Sequence, residues 1–426
     1  MNEAMNAAPP PDIYVRVITT SEATRLEFTA RRLGIPPVRA TLIGSDALLK
    51  VRQELDAGLT RLKDELTGLA VEDKDLNRVF QSLHGLGRTL LFILFGSQQA
   101  ILKELQTFWN DALPLGMNPE MPPPLVECVG SKDGFLPLEF LPLFRMFPGP
   151  PVKTRDKFIT ACRTLVGFSC VVKRTILPAP IRGGNTLRTG PQGRVPTRYL
   201  YYEHLHGAVE ELAWFADAGG AHIDLEGPYP DGTDRAPSLA EQIFDPRLRL
   251  DGTLRELPDQ VQHFACHCYT RSEDTLAAEI ELSGAGCHSR TTLGALGADL
   301  VALGASQAQR TFDLPLVMMN ACGSGRMRAP GAPSFPYLFL TNGNRGFIGT
   351  ETEIPDDVAA AFSKALYERF LVHRIPLGRA VLESRRHLLH TLRNPLGLTY
   401  ATYADPSLHV RPTPEERSHA TDAAHP

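Results

Sequence analysis

The sequence predicts an α/β protein with a mostly parallel central sheet covered by helices, preceded by an N-terminal β-then-helical region. Three observations carry this. From about residue 125 onward, apolar runs of strand length alternate with helical patterns, which is how parallel strands joined by crossover helices read in sequence. Before that point two alternating runs, IYVRVITT (13–20) and RLEFTA (25–30), give way to long stretches with a period of three to four residues. The 426 residues, 43% hydrophobic and 22% charged, hold enough apolar surface for a sizeable core without covalent staples.

Taken in order, the two N-terminal runs read as strands joined by a polar turn. Ser45 is an acceptable N-cap, and Leu48, Val51, Leu55, Leu59, Leu62, Leu66 and Leu69 then form one stripe along a helix. A second helical pattern covers about 76–110, with Gly85, Gly87 and Gly96 as interruptions. Neither helix buries its apolar face alone, so they pack on each other or on the next domain. GMNPEMPPP (116–124) is the linker, because proline neither continues a helix nor donates to a sheet. This divides the chain into 1–115, the Pro-rich linker 116–124, an α/β domain at 125–410 and a polar tail, 411–426, of disordered composition.

Within the α/β domain the strand-like runs are LVECVG (125–130), VVKRTI (171–176), HIDLEG (222–227), VQHFAC (261–266), AEIELS (278–283), LPLVMMNA (314–321) and RGFIGT (345–350). Helices are expected at 204–218, 355–372 and 376–392, and the Gly/Pro-rich segment 182–197 reads as a surface loop.

Charge and cysteine usage narrow the expected classes of function. A formal net charge of −4 gives no electrostatic reason to expect nucleic acid as a partner. The longest apolar run, LLFILF, falls far short of the roughly 20 residues that cross a bilayer, so no membrane role is expected. Seven cysteines, odd in number and unevenly placed, argue against a secreted disulfide scaffold. The N-terminus carries no signal-peptide pattern, and a reducing cytoplasm is the expected location.

The chemistry concentrates at two strand ends. His267 follows VQHFAC and Cys322 follows LPLVMMNA, and in open α/β sheets the crevice beyond the carboxyl ends of the strands is where ligands bind. An imidazole beside a thiol withdraws its proton during attack and later returns it to a leaving amine. Glycines on either side of Ser324 remove bulk near the sulfur and leave backbone N–H groups to hold an oxyanion. Asn320, Gly323 and Ser324 are therefore the expected substrate-contacting positions.

HFACHC (263–268) and NACGSG (320–325) resemble the paired histidine and cysteine signatures of the CHAT family, caspase-like cysteine peptidases related to caspases and separases. SKDGFLPLEFLPL (131–143), ALYERFL (365–371) and LTYATYADPSL (398–408) resemble further family elements in the same order, while roughly the first 110 residues match no motif. The resemblance implies a caspase-like sandwich with His267 as general base and Cys322 as nucleophile. It also implies an oxyanion hole made by the backbone N–H groups of Cys322 and of the residue after the histidine. That residue is Cys268 where the family has glycine, which matters if the turn there needs a positive φ. Asn320 is neutral where some arginine-cutting relatives carry an acid, so no basic P1 preference is expected.

The implied function is cleavage of a protein substrate without a cofactor. Bacterial relatives act as defence or cell-death effectors on a co-encoded partner, such as a gasdermin-like pore former, so a sensor or regulatory protein is expected to dock on residues 1–115. Two other readings stay open. One is a catalytically inactive interaction module of the same fold. The other is a thiol- or zinc-binding regulator using His263, Cys266, Cys268, Cys287 and His288, although the common C-x2-C spacing is missing and no metal is expected. His263, inside its strand, reads as structural.

Overall fold

The computed structural model describes residues 10–411 except 43–45, 67, 97, 114–121, 132–135, 144–150, 178–183, 230–237, 250, 270–276, 285–286, 307–312 and 327–333; at 284, 287–288 and 304–306 it describes the backbone alone. The linker up to residue 121, the tail from 412 and the proposed cap Ser45 thus lie outside the described residues.

The chain opens with an antiparallel meander, β1 (Ile13–Thr19), β2 (Thr24–Ala30) and β3 (Val38–Thr41). Three helices follow: α1 (Ala47–Glu65), α2 (Leu76–Phe95) and α3 (Gln99–Ala112). Val51, Leu55, Leu59 and Leu62 of the expected stripe are buried, but α1 ends before Leu69. Of the three glycines expected to interrupt the second helix, only Gly96 does so, at φ 59° where α2 ends. Gly87 lies inside α2 because a Cβ there would sit 2.4 Å from the Phe140 carbonyl oxygen. The glycine serves close packing, not a break.

After the Pro-rich segment come β4 (Leu125–Ser131), α4 (Arg155–Cys162), α5 (Val166–Ser169) and β5 (Val171–Leu177). These do not begin a separate layer. β4 pairs in parallel with β1 and with β5, giving a five-stranded sheet ordered β3-β2-β1-β4-β5. The regions on the two sides of the linker therefore share one sheet, a pairing between distant segments that periodicity cannot reveal.

The second sheet positions the site. After β6 (Thr186–Leu187), which pairs apart with residues 409–410, come β7 (Val195–Tyr201), α6 (His206–Ala216), β8 (Ile223–Tyr229), α7 (Leu239–Phe244) and β9 (Val261–Ala265). A side hairpin follows: β10 (His267–Tyr269), β11 (Glu279–Gly284) and β12 (Cys287–Thr292), then α8 (Leu293–Ser306). The chain closes with β13 (Leu314–Asn320), α9 (Phe335–Asn342), β14 (Asn344–Thr350), α10 (Asp356–Tyr367), α11 (Leu377–His387), β15 (Tyr400–Ala404) and β16 (His409–Val410). α10 and α11 each run on into a π-helical turn, Glu368–Val372 and Leu388–Leu392.

The six-stranded order is β15-β14-β13-β9-β7-β8, parallel except for the antiparallel edge β15. β13 and β14 are buried at all seven positions, as a strand covered on both faces must be. The predicted α/β sandwich, mostly parallel and covered by helices, is the architecture observed. One expectation fails: the supposed loop 182–197 supplies β6 and the start of β7, a central strand between β9 and β8. Pro196 hides it, since proline ordinarily marks an edge or a loop.

A chain of buried charges ties the two sheets together. Arg174 on β5 bonds Glu139 at 2.7 Å and also Glu351, just past β14. Arg52 of α1 reaches the other Glu351 oxygen at 2.6 Å and the Glu351 carbonyl at 3.2 Å. Glu139, from the motif at 131–143, and Glu351 are both fully buried.

Candidate active site

β9 and β13 are neighbours in parallel register, with Ala265 opposite Asn320. Each strand delivers its reactive residue two positions past that last pair: His267 after Ala265, Cys322 after Asn320. Adjacent strands lie about 4.8 Å apart. The imidazole and the thiol thus leave the same carboxyl-end rim from neighbouring strands. Both are partly exposed. Asp356, the first residue of α10, lies within electrostatic reach of both.

The strand does not run straight through HFACHC. It bends at Cys266, and His267 opens β10, which belongs to the three-stranded side sheet. Alternation along a single strand therefore does not describe this stretch. Cys268 lies extended in β10 and is not among the residues with positive φ, which apart from glycines are Arg374 and Arg393 within the described residues. A non-glycine residue meets no backbone strain there.

The loop after Cys322 is held from below by β14 and the segment after it. The Gly323 N–H donates to the Thr352 carbonyl and to Thr350 Oγ1, both at 3.0 Å. The Gly325 N–H donates to the Thr350 carbonyl at 2.8 Å, and Ser324 Oγ donates to the Met319 carbonyl at 2.7 Å. Gly323 has φ 65°, and a Cβ on Gly325 would lie 2.6 Å from the Gly349 carbonyl oxygen. These glycines let the loop lie flat on β14.

Asn320 is likewise engaged inward: its Nδ2 donates to Glu211 at 2.6 Å and its Oδ1 accepts from Tyr400 Oη at 2.6 Å. The Asn320 amide, the Gly323 N–H and the Ser324 hydroxyl already have partners inside the protein, and these residues shape the loop that carries the thiol.

His263 is fully buried and belongs to the same internal network, with Nε2 2.5 Å from Glu211 Oε2 and Nδ1 2.7 Å from Tyr367 Oη. It is structural, as its place inside the strand indicated. Among the described residues no group of three His, Cys, Asp or Glu side chains could hold a metal ion. The Cys287 and His288 side chains, needed for the second zinc knuckle, lie outside the described residues.

Electrostatics set how the thiol can work. Burial pushes the Cys322 thiol above its ordinary range, and Glu353 and Asp356 push the same way. A hydrogen bond to the Ile354 carbonyl, 4.0 Å from Sγ, and the nearby Lys63 ammonium oppose this without cancelling it. A thiol raised in this way is a nucleophile only where a base takes its proton as it attacks. His267 lies between two rings, Tyr202 at 4.9 Å and Tyr269 at 5.4 Å between centroids.

Sequence reasoning missed the acidic neighbours. Asp356 and Asp357 follow Pro355 and read only as a helix start, while Glu281 reads only as one position of an alternating strand. It missed the contacts of α1 with the site as well. Lys63 pairs with Glu353 at 2.6 Å, Arg52 with Glu351, and Arg326 lies 3.6 Å from Asp56, so α1 braces the segments on both sides of the thiol.

The CHAT domain profile matches residues 188–419, more than half of the sequence, and the protein belongs to the CHAT-domain family. A curated relative from Vitiosangium sp. (strain GDMCC 1.1324), named as a probable protease, is 36% identical over 97 residues. That stretch is 22% of this chain and 13% of the relative, so the chain spans only a small part of the curated protein it matches. Among solved structures, two crystal structures of the Saccharomyces cerevisiae separase–securin complex align over 94% of this chain and 30% of theirs, at 11% identity and TM-scores of 0.43 and 0.44. No helix among the described residues is long and apolar enough to cross a membrane.

Proposed function

We propose that the protein is a cysteine endopeptidase with a His267–Cys322 dyad. The observation that supports this reading is the parallel register of β9 and β13, whose last paired residues, Ala265 and Asn320, each stand two positions before His267 and Cys322. In the reaction, Cys322 Sγ attacks a peptide carbonyl carbon while its proton passes to the imidazole of His267. The backbone N–H groups of Cys322 and Cys268 hold the resulting oxyanion. Collapse breaks the C–N bond, the imidazolium protonates the leaving amine, and water activated by His267 then hydrolyses the thioester.

The substrate is a protein, and the finer reading is a bacterial effector that cleaves a co-encoded partner, gasdermin-like or otherwise, inside the cell. A regulator docking on residues 1–115 would act through α1, whose Arg52, Asp56 and Lys63 meet the segments around Cys322.

The test is incubation with a proteome-derived peptide library, reading new termini by mass spectrometry. Wild-type protein should generate them, while Cys322→Ala and His267→Ala should not. Absence of cleavage by wild type, together with equal iodoacetamide labelling of Cys322 in wild type and His267→Ala, would remove the peptidase reading and leave an interaction module.

A further inference from the structure

We propose that Glu281 is a positioning residue for His267: a fixed carboxylate, clamped from behind by Arg290, that orients the imidazole and stabilises the imidazolium formed when Cys322 gives up its proton. This rests on the dyad reading above and adds a third member to it.

The side sheet makes the arrangement. In β10-β11-β12, His267 pairs with Glu281 and Glu281 pairs with Arg290, so the three residues form one row across three antiparallel strands. Directly opposed residues project from the same face, with Cβ atoms about 5 Å apart. The Glu281 side chain is 5% exposed, and Arg290 donates to its Oε1 from both Nε, at 2.9 Å, and Nη2, at 2.8 Å. Tyr269, two residues along β10 from His267, also hydrogen-bonds the carboxylate. The same tyrosine ring packs against the imidazole. Burial pushes the Glu281 carboxyl up, but Arg290, Tyr269 and His267 together pull it below its usual range, so it stays ionised.

The other charged groups around the imidazole differ in kind. Asp356, from the start of α10, also feels the His267 charge, which pulls its carboxyl down while burial pushes it up by more, but no hydrogen bond or ion pair among the described residues holds that carboxylate in place. Tyr202, from the segment after β7, is neutral. Of the two carboxylates, only Glu281 is held in a fixed place opposite the ring. Transfer of the Cys322 proton creates a cation at His267, and a preorganised anion beside it lowers the energy of that state without reorganising.

The experiment is the pH profile of Cys322 alkylation by iodoacetamide, followed on the Cys322 peptide by mass spectrometry, in the full-length protein. Alkylation falls at low pH as the imidazole becomes protonated and can no longer accept the thiol proton. Glu281→Gln should move this acid limb to lower pH by about 0.5–1 unit and slow the neutral plateau roughly threefold to tenfold.

Arg290→Met removes a partly exposed cation that offsets the Glu281 charge, and should move the limb to higher pH by a smaller amount. A purely structural role would shift both variants the same way, so opposite directions are the signature. Shifts of the same sign overturn the proposal, as does a Glu281→Gln limb that coincides with wild type while Asp356→Asn accounts for the whole effect. Failure of the dyad itself looks different: His267→Ala would then leave the wild-type profile unchanged.

Discussion

Replacing Arg52 with methionine tests the buried tie between α1 and the site's sheet. The Arg52 side chain is 11% exposed and its partner Glu351 is fully buried, with 2.6 Å between Nη1 and Oε2. At that distance two unit charges attract by about 6 kcal/mol at an effective dielectric near 20, and desolvation offsets much of it. What a substitution exposes is the cost of stranding the partner, commonly about 3–5 kcal/mol. Arg174 still faces Glu351 in the variant, so the lower end applies, about 3 kcal/mol. Urea unfolding at pH 7 measures it. The loss should also persist in about 1 M salt, where pairs open to solvent are screened. A loss below about 0.5 kcal/mol, or one that disappears in salt, would refute the claim that this pair is buried and structural.

Two glycines within α2 should respond in opposite ways. Gly85→Ala meets open space and should raise stability by about 0.5–1 kcal/mol, whereas Gly87→Ala drives a Cβ onto the Phe140 carbonyl oxygen and should lower it by about 1–3 kcal/mol, both read from urea midpoints. Burial raises the Asp356 carboxyl above its unfolded value, so ionisation opposes folding; Asp356→Asn should raise the melting temperature at pH 7, and the gain should fade as pH drops below the ordinary carboxylate range, where both states are protonated. A gain that grows on acidification would reverse the sign and contradict the assigned burial.

How much of this was legible in the sequence depends on whether a feature is local. β13 was readable because a short apolar run rich in branched and sulfur side chains between turn-prone segments fits a strand covered on both faces. The positions of His267 and Cys322 past their strands were readable for the same reason. β7 was not, because Pro196 argues locally for a loop while its neighbours β8 and β9 overrule it. Gly87 read as a break because its reason lies in Phe140, more than fifty residues away. Glu281 could not be assigned to the site until register placed it opposite His267. The internal partners of Asn320 and Gly323, namely Glu211, Tyr400, Thr350 and Thr352, could not be read locally, since they come from other elements. Chain direction brings a residue to the site, whereas pairing decides what it does there.

The pairing also bears on how the first hundred residues relate to the reaction centre. They are not an appended module: β1 shares a sheet with β4 and β5, the Asp12 carboxylate accepts from the Leu125 N–H at 2.8 Å, and α1 meets the segments that flank Cys322. The contacts fall into two kinds with different consequences. Arg52–Glu351 is buried and costly to break, so it fixes α1 against the base of the 351–356 segment. Lys63–Glu353 is largely open to solvent, with Glu353 68% exposed, and an exposed pair contributes no more than about 1 kcal/mol. Glu353 and Lys63 act on the Cys322 thiol with opposite sign, the carboxylate raising its pKa and the ammonium lowering it. A weak pair at that position is therefore an element of the α1 contact that opens at small cost. Opening it would change the electrostatics of the thiol while leaving the Arg52 anchor, and with it the fold, in place.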